Sequence, residues 1–159
     1  MTVSAVAVAD LDALVPLFAG YLQFYQVPRS ATEIHAFLLE RLQRGDAQLF
    51  IARDEQGMAQ GFTQLYPLQS SLSLAPAWLL SDLFVLPSAR RQGVGEALMN
   101  AARAYAEASG GVWSATGNGE DQPGRPGLVR APGLCARRAV PDVLAKLGEY
   151  MRGPMGAAY

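Results

Sequence analysis

The chain has little of what disulfides, metal centres and membranes require. One cysteine, Cys135, rules out an internal disulfide, and one histidine, His35, leaves the usual zinc ligand sets unfilled, so no metal is expected. No apolar run approaches the roughly 20 residues that span a bilayer. An excess of charge is lacking too. Thirteen basic and 14 acidic side chains give a net −1, so neither nucleic acid nor an anionic membrane is expected as a partner. The run Val3 to Val8 is short, has no basic lead and passes into an acidic helix start, which is not the pattern of a signal peptide. A reducing cytoplasm is the expected compartment. What is present is ordinary: 159 residues, half of them apolar and 17% charged, enough for one domain with a hydrophobic core.

Periodicity then divides the chain. Thr2 to Val8 alternates like an edge strand. Asp10 is placed to cap a helix with Leu11, Leu14, Val15, Phe18 and Leu22 on one face, in which Pro16 is expected to bend or divide the run. Ser30-Ala-Thr-Glu33 reads as a capping box opening a second helix, with Ile34, Phe37, Leu38 and Leu42 buried and Gly45 as its stop. Three strands follow: Gln48 to Arg53, a turn at Asp54 to Gly57, Met58 to Leu65, a polar connection, and Ala77 to Val85. Gly61 marks a bulge or a close backbone approach. The last strand is nearly continuous in apolar residues and is expected to be central. A helix from Gly93 to about Ser109 carries Val94, Ala97, Leu98, Ala101 and Tyr105 on one face, and Gly110-Gly111 ends it.

The chemistry sits where the central strand meets that helix, across Pro87 and Arg90-Arg91-Gln92-Gly93-Val94-Gly95. The first backbone N–H groups of a helix have no internal partner, and the helix dipole adds partial positive charge there. A pyrophosphate satisfies both if the backbone can come close, and Gly93 and Gly95 lack the Cβ atoms that would prevent it. Arg90 and Arg91 add formal positive charge. A dinucleotide fingerprint would need glycine at Leu98, and a P-loop would need Gly-Lys-Ser/Thr, so both fit less well. The plainer alternative is a tight turn at a helix start with solvated arginines.

Arg90-x-x-Gly93-x-Gly95 after a strand resembles the signature of the GNAT N-acetyltransferase superfamily, and Leu80 to Val85 looks like its small-amine and diamine branch. The resemblance covers residues 1 to about 113. It implies a mixed α/β (α+β) fold, a mostly antiparallel twisted sheet flanked by helices, with acetyl-coenzyme A as cosubstrate. It also implies that the backbone of Leu83, Phe84 and Val85 pairs with the pantetheine arm, and that Arg90, Arg91, Gln92, Gly93, Val94, Gly95 and Glu96 cradle the phosphates. The acceptor would be a primary amine of a small molecule or a peptide. Such an amine must lose a proton before attack, having a free pKa of about 10.4. Asp82 is the nearest carboxylate to the cofactor strand and the candidate base; a strand-end residue satisfied by its neighbours is the competing reading. Relatives in that branch carry glutamate where Ser81 stands. Glu33 is a weaker candidate and reads better as a cap. Tyr21, Phe24 and Tyr25 fall where the family shapes its amine pocket, although aromatics at that spacing are often simply core. His35 reads as a surface residue.

After Ser114 the character changes. Gly117 to Gly133 holds five glycines and three prolines in seventeen residues, with neither period. The family's continuation, Asn-x-x-Ala-x-x-Leu-Tyr-x-x-x-Gly-Phe/Tyr, whose tyrosine protonates the departing thiolate, is absent. Tyr150, Tyr159 and Cys135 lie outside any such context. Codons permitted for Glu120 to Leu147, read one base later, do spell that motif and an alternating strand after it. Residues 1–113 are therefore expected to form the acetyl-coenzyme A domain, and 114–159 to be its frameshifted remainder; a divergent Gly/Pro-rich end is the alternative. As printed, the chain can also be read as a non-catalytic coenzyme A-binding remnant, or as a partly folded product rescued by dimerisation. A homodimer is one expected assembly.

Overall fold

A computed structural model describes residues 1–71 and 74–115; all lie in the first of two units, Met1–Asp121. The expectations for the segment after residue 115, including its frameshifted origin, Cys135, Tyr150 and Tyr159, fall outside the described residues. Within them, five strands form one sheet in the order β1 (Thr2–Ala5), β2 (Gln48–Arg53), β3 (Ala59–Ser70), β4 (Ala75–Val85) and β5 (Val112–Ala115). The first three pairings are antiparallel and β4 to β5 is parallel. A parallel neighbour needs a crossover, and α3 (Val94–Ala108) provides it. Helices α1 (Leu11–Phe24) and α2 (Ala31–Arg44) connect β1 to β2. The fold class is the mixed, mostly antiparallel α/β one expected.

Alternation along the strands gives the sheet two apolar faces. Phe62, Phe84, Leu49 and Ile51 pack under Leu11, Leu14, Leu17 and Phe18 of α1 and Ile34 and Leu38 of α2. Phe50, Ala52 and Leu65 pack under Val94, Leu98 and Ala102 of α3. Fully burying one such aliphatic or aromatic side chain contributes about 2 kcal/mol, so both layers hold the sheet firmly. Gly61 is the tightest point. A Cβ there would lie 2.6 Å from the Phe84 carbonyl oxygen, so β3 and β4 close only because that position is bare.

Several local expectations need correction. Of the two outcomes expected at Pro16, division does not occur, since α1 runs unbroken through it. Asp10 makes no side-chain cap to α1; its Oδ2 accepts from the Ala7 N–H and its Oδ1 pairs with Arg53 at 2.6 Å. Phe37 is exposed rather than buried, lying against Phe18 and beneath the Arg41 guanidinium. Strand β3 does not stop at Leu65. It continues through Pro67 to Ser70, and the expected polar connection is mostly hairpin. Beyond Leu65 the strand has left β2 and borders only β4, and an edge tolerates the N–H that proline lacks.

Candidate active site

The site begins with a defect in the sheet. Gln64 pairs with Asp82 and Leu65 with Leu80, so Ser81 is an extra residue in β4, a bulge. Before it, β4 pairs with β5 from Ala77 to Leu80. After it, residues 82–85 keep β3 on one side and have no strand on the other among the described residues. Antiparallel strands exchange bonds at alternate residues. The Leu86 N–H donates to the Gln60 carbonyl, which puts Phe84 and Asp82 on the bonded side as well. Leu83 and Val85 therefore direct their backbone groups toward the open edge. Of the three residues expected to meet a pantetheine arm, Phe84 has its polar backbone groups turned to β3. The Val85 carbonyl accepts from Arg90 Nε at 3.3 Å, leaving the Leu83 groups and the Val85 N–H on offer.

The loop and helix start then follow the strand. Pro87–Ala89 makes one short turn, Arg90 is extended, Arg91 adopts a left-handed backbone (φ +61°), and Gly93 caps α3 at φ +79°. Gly93 gives the helix no side-chain cap, so the Val94, Gly95 and Glu96 N–H groups remain without one. A Cβ on Gly95 would touch only Val85 Cγ2, at 3.8 Å. No packing within the protein demands glycine there. A bare Cα there leaves the helix start open to close approach, and the cradle fits a pyrophosphate. The exposed Arg90 and Arg91 enter no ion pair among the described residues. Val94 is buried and can offer its backbone alone, while Gln92 braces the loop by donating to the Ser88 carbonyl. Glu96 is exposed in the helix's first turn.

Beside the open edge, on the α1 face, stands the carboxylate. Asp82 Oδ1 accepts from the Tyr21 hydroxyl at 2.5 Å, across 61 residues of sequence. The contact exists because α1 comes close to β4 at Gly20, where a Cβ would lie 3.1 Å from Phe84 Cζ. Burial, and then the bond and charge of Asp82, push the Tyr21 phenol well above its ordinary range. Tyr25 and Phe24 continue the aromatic row, with centroids 5.0 Å (Tyr21–Tyr25) and 5.2 Å (Phe24–Tyr25) apart, and both are exposed. The structure thus brings Tyr21 to Asp82 and leaves Phe24 and Tyr25 on the rim. Glu33 is spent as the cap of α2, bonding Ser30 N at 2.9 Å. His35 lines a separate shallow groove with Asp12, Val15, Pro16, Ala31 and Thr32.

Three polar residues near Asp82 escaped the sequence reading. Thr63 Oγ1 donates to the Asp82 carbonyl at 2.9 Å, and Gln64 Nε2 donates to the Tyr66 hydroxyl at 2.6 Å. Burial, and then the Asp82 charge, raise the Tyr66 phenol as well. The available signal was a glutamine inside an apolar strand, since fully buried polar side chains are uncommon. Another groove, of about 330 Å³, runs past Met1, Asp54, Gln56, Gln60, Gln92 and Val94 and does not include Asp82. Among the described residues no group of three His, Cys, Asp or Glu side chains is placed to hold a metal, and no helix is long and apolar enough to cross a membrane.

These features can be set beside known proteins. Residues 45–124 match the acetyltransferase (GNAT) domain family. An uncharacterized N-acetyltransferase of Bacillus subtilis, YhfO, is 40% identical over 110 residues, 69% of this chain and 73% of its own. A probable acetyltransferase of Haemophilus influenzae is 36% identical over 96 residues, 60% of this chain and 66% of its own. The crystal structure of a probable acetyltransferase superposes with a TM-score of 0.69 at 31% identity, over 82% of this chain and 98% of that one. With its bulged strand, open edge and uncapped glycine helix start, the chain belongs to the GNAT acetyltransferase family.

Proposed function

We propose that the protein is an N-acetyltransferase that moves an acetyl group from acetyl-coenzyme A to a primary amine of a small molecule or peptide. The observation that carries this reading is the α3 start at Gly93, which has no side-chain cap, with two arginines that enter no ion pair among the described residues, set directly after a strand edge that no described strand covers. Acetyl-coenzyme A supplies the activated acetyl thioester when bound. Leu83 and Val85 would pair with its extended arm, and the Val94, Gly95 and Glu96 amides with Arg90 and Arg91 would hold its pyrophosphate. Phe84 serves by fixing β4 to β3 and by its ring. Asp82 takes the proton that makes the amine nucleophilic. Tyr21, Phe24 and Tyr25 line the acceptor side. The name of the Bacillus subtilis relative, an N-acetyltransferase, supports transfer to nitrogen. No metal enters this scheme. The domain responsible is residues 1–113, with 114–159 as its remainder read out of frame.

The test pairs binding with turnover. Coenzyme A at about 100 times its Kd should add roughly 2.7 kcal/mol of stability, read as a rise in Tm. Thiol release from acetyl-coenzyme A with a panel of primary amines should then identify acceptors. Protection without turnover would establish the second reading, a coenzyme A-binding remnant, which the missing Leu-Tyr motif after Gly111 favours. Neither protection nor turnover would sink both. Resequencing the codons for Val112 to Gly119 checks the boundary, because a single-base change must restore the family's motif.

A further inference from the structure

We propose that Tyr21 is the positioning residue of the transfer, holding one oxygen of Asp82 so that the other is free to receive the acceptor's ammonium. This rests on the acetyltransferase reading above and assigns a role that the aromatic row alone does not imply. The two oxygens of Asp82 are not equivalent. Oδ1 accepts from the Tyr21 hydroxyl at 2.5 Å. Among the described residues Oδ2 has no hydrogen-bond partner, and Asp82 is only half-buried. A carboxylate on a strand would ordinarily rotate about χ2, which is a broad and soft torsion. The tyrosine fixes that rotation. The backbone below is fixed too, since Thr63 Oγ1 holds the Asp82 carbonyl beside the bulge.

Tyr21 is itself rigid. Its ring lies 5.7 Å from Phe18, 5.9 Å from Phe62 and 6.4 Å from Phe84, centroid to centroid. A raised phenol stays protonated through the neutral range, so it remains a donor and does not compete for the amine's proton. The Asp82 charge acts on both Tyr21 and Tyr66, whose phenols burial raises first, so both stay protonated beside it; Arg41 and Asp46 also act on Tyr66. In the step itself, one N–H bond of R–NH₃⁺ breaks and an O–H bond forms at Oδ2. The products are neutral R–NH₂ and a protonated Asp82, which returns its proton to solvent.

Tyr21→Phe removes the hydroxyl and keeps the ring, so it separates positioning from packing. With n-butylammonium as the probe, Tyr21→Phe should weaken binding measured by NMR titration and lower kcat/KM with n-butylamine by about tenfold, the scale of one lost hydrogen bond to a charged group. The KM for acetyl-coenzyme A and its thermal protection should not change. Asp82→Asn should cost more in both, and adding Tyr21→Phe to Asp82→Asn should cost nothing further. Ultraviolet titration should show Tyr21, and to a lesser degree Tyr66, ionising at lower pH in Asp82→Asn than in the parent.

Outcomes divide cleanly. Parent-like butylammonium binding and turnover in Tyr21→Phe would overturn the proposal, as would full additivity with Asp82→Asn, or a parent chain that binds no butylammonium. Normal turnover in Asp82→Asn would remove the base assignment and this proposal with it. A parent without turnover whose butylammonium binding still needs both residues would end the catalytic reading alone and uphold the pair as a cation receptor.

Discussion

Helices α2 and α3 begin in opposite ways. The α2 start satisfies itself: Ser30 Oγ accepts from the Glu33 N–H at 3.2 Å and Glu33 accepts from the Ser30 N–H, while Gly45 closes the far end at φ +62°. The α3 start has glycine where a cap would be, in a left-handed conformation that turns no side chain toward the free amides. Both helices carry a glutamate three residues past the cap, yet only Glu33 reaches back. The contrast teaches that a helix N-terminus binds a ligand only if the chain declines to cap it. That choice costs about 1 kcal/mol of local stability, the usual worth of a cap. At α3 it is coupled to further strain, since Arg91 at φ +61° is not a glycine.

Filling the α3 cradle should give the largest effect. Gly95→Leu places a side chain where only Val85 Cγ2 stands nearby, so folding should be preserved or slightly improved, as expected when a helix interior loses a glycine. Coenzyme A affinity should nonetheless fall at least about a hundredfold, because the backbone can no longer be approached and the amides lose their partner. Calorimetry with coenzyme A, alongside a melt of the free protein, reads both. A variant that binds normally would show that the cradle is not the phosphate site.

Next in size is Gly93→Ala. Nothing lies within 4 Å of the added Cβ, so the cost comes from forcing alanine to φ +79°, about 1–2 kcal/mol by the ordinary left-handed penalty. Tm should drop by several degrees, and coenzyme A should recover part of it if the bound form enforces the same turn. Arg91→Gly runs the other way. Relief at φ +61° should raise stability by up to about 1 kcal/mol while coenzyme A binding weakens about tenfold, more at low salt than at high.

The same two helix starts show what a sequence makes legible. The α2 box, the turn at Gly57, strand β2 and the glycine loop were all readable, because each depends on residues a few positions apart. Strand β3 runs past its expected end at Leu65 and through Pro67, since proline's exclusion from sheets lapses once β2 has left that edge. Phe37 was misplaced because the buried stripe of α2 is narrower than its apolar pattern. The Tyr21–Asp82 contact could not be read at all as a pair. It joins residues 61 apart, and it depends on the bareness of Gly20 against Phe84, which no local period announces.

The smallest expected effect belongs to α2, and it is a matter of pH. Glu33 is held below its ordinary pKa of 4.5, first by the Ser30 hydroxyl and then by the Ser30 N–H. A depressed folded value means the unfolded chain binds the proton more readily. The stabilisation is therefore complete above the ordinary value and is lost as pH falls through it toward the lower folded value. Glu33 is fully exposed, so the whole-protein melting curve should hardly move. Local opening should register instead. Amide exchange at Thr32 to Ile34, corrected for its intrinsic rate, should quicken in the parent as pH drops below about 4.5, and Glu33→Gln should show no such pH dependence. A parent whose α2 protection stays flat through that range would mean that the capping box is not what distinguishes the two starts.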